Sequence, residues 1–128
     1  MRVLLDSHAL VWFLHGDHRF SKRARAAIED DKALVCVSSV TAWEISNKVR
    51  LGKWPEAAPL ATAFAAMMTR YAFDPLPVTI EHALAAGFLE GVHRDPFDRM
   101  LAAQATVEGI PLVTADPAFR TFGTHTLW

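Results

Sequence analysis

The chain is an alternation of short apolar runs, each closed by a small polar or acidic residue, with longer stretches of helical character. That rhythm constrains the fold more than any other feature. Arg2 to Leu5 reads as a strand, and Asp6-Ser7 opens a helix through Leu14. Ser21 is placed to cap a second helix running to about Glu29. Ala33 to Val37 is apolar and rich in valine, as in a buried strand, and Ser38-Ser39 ends it and starts a helix to about Arg50, closed by Gly52. Pro59 begins another helix, with Leu60, Phe64, Met67, Met68 and Tyr71 near one face. Leu76 to Val78 reads as a short strand, and Thr79 caps a helix to about Glu90. Asp95-Pro96 is a cap followed by proline at the first helical position, and that helix runs to Glu108 before Gly109. Pro111 to Thr114 is a strand, Asp116-Pro117 repeats the cap-proline device, and Thr124 to Leu127 is a last strand. Strands that alternate with helices imply an α/β fold with a mostly parallel central sheet and helices on both faces. No linker, repeat or low-complexity segment interrupts residues 1–128, so a single domain is expected.

In an open parallel sheet, ligands bind beyond the carboxyl ends of the strands. Asp6 and Asp116 each stand just after a strand-like run, and Glu44 lies in the second turn of the helix after another. Asp98 falls three residues after Asp95, in the first turn of its helix. These acids, far apart in sequence, can converge at one sheet edge. An all-oxygen set without cysteine or paired histidine suits a hard cation, Mg²⁺ or Mn²⁺, and such an ion can activate water and offset charge on a phosphodiester. The same aspartates also serve well as helix caps, and Asp98 can favour the helix dipole, so local structure alone accounts for each acid taken singly. Capping with one oxygen leaves the other free to bind metal.

Composition narrows the alternatives. A net charge of −1 argues against a protein that merely coats nucleic acid, and one cysteine, Cys36, rules out an internal disulfide framework. Apolar runs fall short of a membrane span, and the N-terminus shows no signal-peptide pattern, so a cytoplasmic protein without membrane contact is expected. A hydrophobic fraction of 52% leaves room for an apolar face covered by a partner.

Four segments, in order, resemble the motifs of PIN domains: Leu5-Asp6-Ser7-His8-Ala9-Leu10-Val11-Trp12, Val40-Thr41-Ala42-Trp43-Glu44-Ile45-Ser46-Asn47-Lys48, the run His93 to Ala105 around Asp95-Pro96-Phe97-Asp98, and Leu112-Val113-Thr114-Ala115-Asp116. The resemblance implies a three-layer α/β fold and a Mg²⁺-dependent endoribonuclease. For a short chain it also implies a VapC-like toxin of a type II toxin–antitoxin system, held by a cognate antitoxin and forming a homodimer. Carried over residue by residue, Asp6, Glu44, Asp98 and Asp116 match the acidic positions, with Mn²⁺ an alternative to Mg²⁺. Asp95 matches a second aspartate of a subgroup and is first read as a cap. Ser7 falls where a small hydroxyl residue binds a metal water, and Arg94 and Arg99 flank the third motif where they can meet phosphate.

Other residues carry weaker signals. His15 and His18 flank a turn and read as solvent residues, whereas His8 and His93 lie close enough to the acids to touch substrate. The groups Lys48, Arg50, Lys53 and Lys22, Arg23, Arg25 read as solvated helix faces. Trp12, Trp43, Trp54 and Trp128 read as core or interface residues before base-stacking platforms, and Cys36 as a small core residue. The Leu60, Phe64, Met67 and Met68 stripe is expected near a dimer contact, with the antitoxin in a separate apolar groove near the site. Two other functions stand against the nuclease: a catalytically inactive PIN-fold interaction module, against which the full set of acids argues, and an aspartate-based phosphatase, which needs an acid two residues after Asp6 where His8 stands.

Overall fold

The computed structural model describes residues 1–128. Its elements are β1 (Arg2–Leu5), α1 (Ser7–His15), α2 (Lys22–Glu29), β2 (Leu34–Ser38), α3 (Ser39–Arg50), α4 (Ala58–Thr62), α5 (Phe64–Arg70), β3 (Asp74–Leu76), α6 (Ile80–Phe88), α7 (Pro96–Glu108), β4 (Leu112–Val113) and β5 (Thr126–Leu127). Short 3₁₀ turns cover Pro55–Ala57 and Pro117–Phe122. The five strands form one sheet in the order β3-β2-β1-β4-β5, and every pairing is parallel.

Side-chain alternation along the strands divides the core between the two sheet faces. Val3, Leu5, Val35, Val37 and Val113 pack with Ala9, Leu10, Phe20, Ala24 and Ile28 from α1, α2 and their connection. Leu4, Cys36 and Leu112 point the other way and meet Phe97, Leu101, Ala102 and Ala105 of α7. Helices therefore cover both faces of a sheet whose three central strands are largely buried on each side, as a parallel sheet requires. Cys36 is buried there, as its place in an apolar strand led us to expect.

Capping fixes where the helices begin. Asp6, Ser21, Ser38, Thr79 and Asp95 each accept a backbone N–H of the following turn through their side chains. The helix expected from Pro59 is instead two, because Ala63 leaves helical geometry at φ −115°. The third strand is Asp74–Leu76 and not Leu76 to Val78, because it takes its register from β2, with Cys36 opposite Asp74 and Ser38 opposite Leu76. Pro75 is accommodated because β3 is an edge strand. The Leu60, Phe64, Met67 and Met68 stripe faces inward. Leu60 and Met67 are buried in the core, and Phe64 and Met68 pack against it. No helix is long and apolar enough to cross a membrane.

Candidate active site

Strand β1 lies at the centre of the sheet, with β2 on one side and β4 on the other, so the strand order reverses direction there. Such a switch point leaves a crevice at the carboxyl edge. Asp6 follows β1, and Asp116 follows β4 by three residues. From β2 the chain enters α3, whose core-facing stripe Val40, Thr41, Glu44 and Ile45 carries Glu44 inward. The N-terminus of α7 brings Asp95 and Asp98. Asp6, Ser7, Glu44, Asp95, Asp98 and Asp116 line one cavity of about 200 Å³, together with His8 and Lys48.

Each inner carboxylate is held by a neighbour. Asp6 is only 6% exposed. One of its oxygens accepts the backbone N–H of Ala9 at 2.6 Å, and the other accepts the Thr114 hydroxyl. Both donors are neutral, so burial dominates and raises the Asp6 carboxyl to about 7, with the charges of Asp98 and Glu44 adding to it. Glu44 is equally buried but paired: the Ser7 hydroxyl donates to one oxygen at 2.5 Å and Lys48 Nζ stands 2.5 Å from the other. Asp98 meets His93 Nε2 at 2.7 Å. Burial raises it to about 6, against the His93 contact and with the charges of Asp95 and Glu44. Asp95 takes the backbone N–H groups of Phe97 and Asp98 on a single oxygen, at 2.9 and 3.1 Å, leaving the other free. Asp116 likewise caps through one oxygen at Ala118 N, 2.9 Å away.

These acids do not form a closed cage; no three histidine, cysteine, aspartate or glutamate side chains are grouped tightly enough for that. The donor set nonetheless fits a hard divalent cation. It is all oxygen, several carboxylate oxygens are free, and Asp6 is a buried carboxylate with no cationic partner. A cup of this kind suits Mg²⁺, which keeps several of its waters.

The residues read as substrate contacts divide. Ser7 is buried and donates to Glu44, so it orients a carboxylate. Arg99 does not line the cavity. Its guanidinium donates to the backbone carbonyls of His93 and Ala86 at 3.2 and 3.1 Å and to that of Leu89, with the Phe122 ring 5.6 Å away. Arg94 is exposed and also outside the cavity lining. Lys48, read as part of a solvated face, belongs to the site instead. Its position four residues after Glu44 on the same helix was the available signal. Thr114, two residues before Asp116, was also missed; a hydroxyl at the end of a strand, just ahead of an acid, carries that information.

An open parallel sheet between helical layers, with acids gathered at its switch point, defines a class of three-layer α/β proteins. Within that class the chain belongs to the PIN domain family, whose sequence model matches residues 3–124. No curated protein matches it by sequence. Among solved structures it is similar to VapBC2 from Rickettsia felis bound to a promoter DNA fragment, at 16% identity and a TM-score of 0.70 over 100% of this chain and 98% of that one. It is similar to VapC20 of Mycobacterium tuberculosis, a toxin that cleaves the sarcin-ricin loop, at 17% identity and a TM-score of 0.68, covering 98% of both chains. VapBC-1 from nontypeable Haemophilus influenzae matches at 16% identity and a TM-score of 0.70, over 99% of this chain and 97% of that one. At these identities the likeness is one of fold.

Proposed function

We propose that the protein is a divalent-cation-dependent endoribonuclease and the toxin of a toxin–antitoxin pair. The observation that carries this reading is the convergence of Asp6, Glu44, Asp98 and Asp116 on one cavity, with Asp6 buried and lacking a cationic partner. These four residues hold Mg²⁺ or Mn²⁺, and Asp95 contributes its uncapped oxygen. The ion, when bound, supplies an oriented water of lowered pKa and offsets charge on the phosphodiester. The chain's own contribution is positional. Thr114 and Ala9 fix Asp6, Ser7 and Lys48 fix Glu44, and His93 fixes Asp98. One of the carboxylates accepts the proton released by the attacking water.

The test is cleavage of a mixed RNA substrate with Mg²⁺ or Mn²⁺, with EDTA, and with an Asp98→Asn variant. Cleavage is expected only for the parent with metal, and the variant is expected to lose at least about 100-fold. Full cleavage after rigorous chelation, or in the variant, refutes the mechanism. A parent inactive under every condition favours an interaction module on the same fold.

Two surfaces fit the partners of this reading, a cognate antitoxin and a second copy of the chain. VapB proteins accompany the toxins in the VapBC complexes described above, and in this chain a cleft of about 310 Å³ between α1, α4 and α5 can take an apolar segment of such a partner. It is lined by Leu14, Pro59, Leu60, Met67 and Tyr71, with Arg70 at hand for an acidic residue. On α6, Ile80, Leu84 and Phe88 recur every fourth residue and are 81%, 58% and 82% exposed. The helix carries one acid, Glu81, and no lysine or arginine, so this stripe can meet its own copy without charge repulsion. We assign it to the homodimer. The same reading puts the protein in the cytoplasm, with its RNA substrate and antitoxin.

A further inference from the structure

Beside the acidic cavity lies a second one of about 250 Å³, lined by Asp6, His8, Trp12, Ala115 and Asp116. Asp6, His8 and Asp116 also line the first, so the two are continuous across these residues. Their walls differ in kind. The first is polar throughout, while the second adds the indole of Trp12 and the small side chain of Ala115. Trp12 and His8 meet edge to face, their centroids 6.0 Å apart and their planes at 62°, so two flat rings form a corner.

Both rings are braced from outside the cavity. His8 is stacked on Trp54 at 4.5 Å. Trp12 and Trp128 meet edge to face at 5.9 Å, and the Arg19 guanidinium, itself held by Asp17 at 2.8 Å, lies over one face of the indole, 4.6 Å from its centroid. A wall fixed this way loses little side-chain freedom when a ligand arrives.

We propose that this second cavity is a base-stacking subsite. It takes the nucleobase of a single-stranded RNA nucleotide next to the cleaved phosphodiester, laid on Trp12 with its edge toward His8. The inference rests on the ribonuclease reading, which places a phosphodiester at the adjoining acids. A planar, largely apolar base suits an aromatic corner, and its phosphate then falls on the cation side. A base inside an RNA helix has both faces covered by its neighbours, so the subsite selects unpaired nucleotides. Stacking tolerates any base, so it selects for strandedness more than for sequence.

Binding separates the subsite from the chemistry. In an Asp98→Asn background with Mg²⁺, a labelled single-stranded RNA is titrated by anisotropy, and a gel confirms that it stays intact. Single abasic replacements are then scanned along the oligonucleotide. One position is expected to weaken binding about ten-fold. Trp12→Leu should cost about the same, and the two losses should not add, because both remove one stacking contact. The Trp12 ring packs against the core, so Ala115→Leu provides the control. This exposed residue narrows the same cavity and should reproduce the loss. RNA should also quench indole fluorescence in a Trp43→Leu protein, and fail to do so to the same extent in Trp12→Leu. Additive losses at every abasic position, or parental affinity in Ala115→Leu, overturn the proposal. Cleavage by the parent is scored separately. Trp12-dependent binding without any cleavage sinks the ribonuclease reading, and cleavage without Trp12-dependent binding sinks the subsite.

Discussion

A buried carboxylate that meets only neutral donors makes Asp6 both the most costly and the most informative residue of the site. Its carboxyl is raised to about 7 from an ordinary 3.8. The native state therefore binds a proton at Asp6 more readily than the unfolded chain does. In metal-free buffer, this group's contribution is most favourable below about pH 4 and is lost as the pH rises to about 7. Asp6→Asn removes that dependence and keeps the cap, since asparagine caps about as well as aspartate and the Thr114 hydroxyl can turn from donor to acceptor. The variant is expected to be inactive and, in EDTA at neutral pH, more stable than the parent by about 1 kcal/mol or more. The gap should shrink toward pH 4. Mg²⁺ should close or reverse it, because an ion at 100 times its dissociation constant adds about 2.7 kcal/mol to the parent. Thermal unfolding of both proteins across pH, with and without Mg²⁺, measures this. A variant less stable in EDTA, with both proteins answering equally to Mg²⁺, removes Asp6 from the metal site.

Between α6 and α7 the chain has no regular structure, and one guanidinium ties it down. Arg99 reaches back from α7 to the carbonyls of Ala86, Leu89 and His93, and thereby holds His93 where it meets Asp98. Arg99→Met keeps a good helix former and loses those bonds. Stability should fall by about 2 kcal/mol, amide protection should drop between residues 86 and 95 with α2 unchanged, and RNA cleavage should fall about ten-fold. Unchanged protection in that segment would show that Arg99 is not its fastener. Sequence alone revealed the elements whose causes are local. The starts of α1, α2, α3, α6 and α7 were legible because Asp6, Ser21, Ser38, Thr79 and Asp95 act on the turn that follows them. The break at Ala63 was not, since no glycine or proline marks it and packing decides it. Arg99 likewise looked like a phosphate contact because its acceptors are backbone carbonyls, which every sequence has. Among the acids, Glu44 was readable as a carboxylate set between the apolar Trp43 and Ile45; that Trp43, read as core or interface, would be 60% exposed and Glu44 only 3% exposed was not, since it inverts ordinary hydropathy. Which neutral groups would hold those acids was not, because Ser7 and Thr114 find their partners 37 and 108 residues away.

At the level of the whole molecule, the exposed apolar stripe on α6 has no partner within the chain. Phe88→Glu places charge at its most exposed ring, and two copies brought together there would set like charges side by side. The variant is expected to be monomeric by light scattering at a concentration where the parent is dimeric, with unfolding within about 0.5 kcal/mol of the parent, as befits a surface change. A parent that is already monomeric, or a variant that stays dimeric, removes the stripe from the interface. The central place of β1 has a further consequence for how the protein comes into being. Its first strand is hydrogen-bonded on one side to β2 and on the other to β4, near the far end of the chain. Thr114, which holds Asp6, lies 108 residues beyond it, and Asp116, which completes the cavity, follows Thr114 closely. The long-range pairing that seats them waits on everything between, so β1 lacks its second neighbour until the segment from β2 to α7 has been made. The acidic cup is therefore completed late in folding, and a chain interrupted anywhere before residue 116 carries an unfinished one.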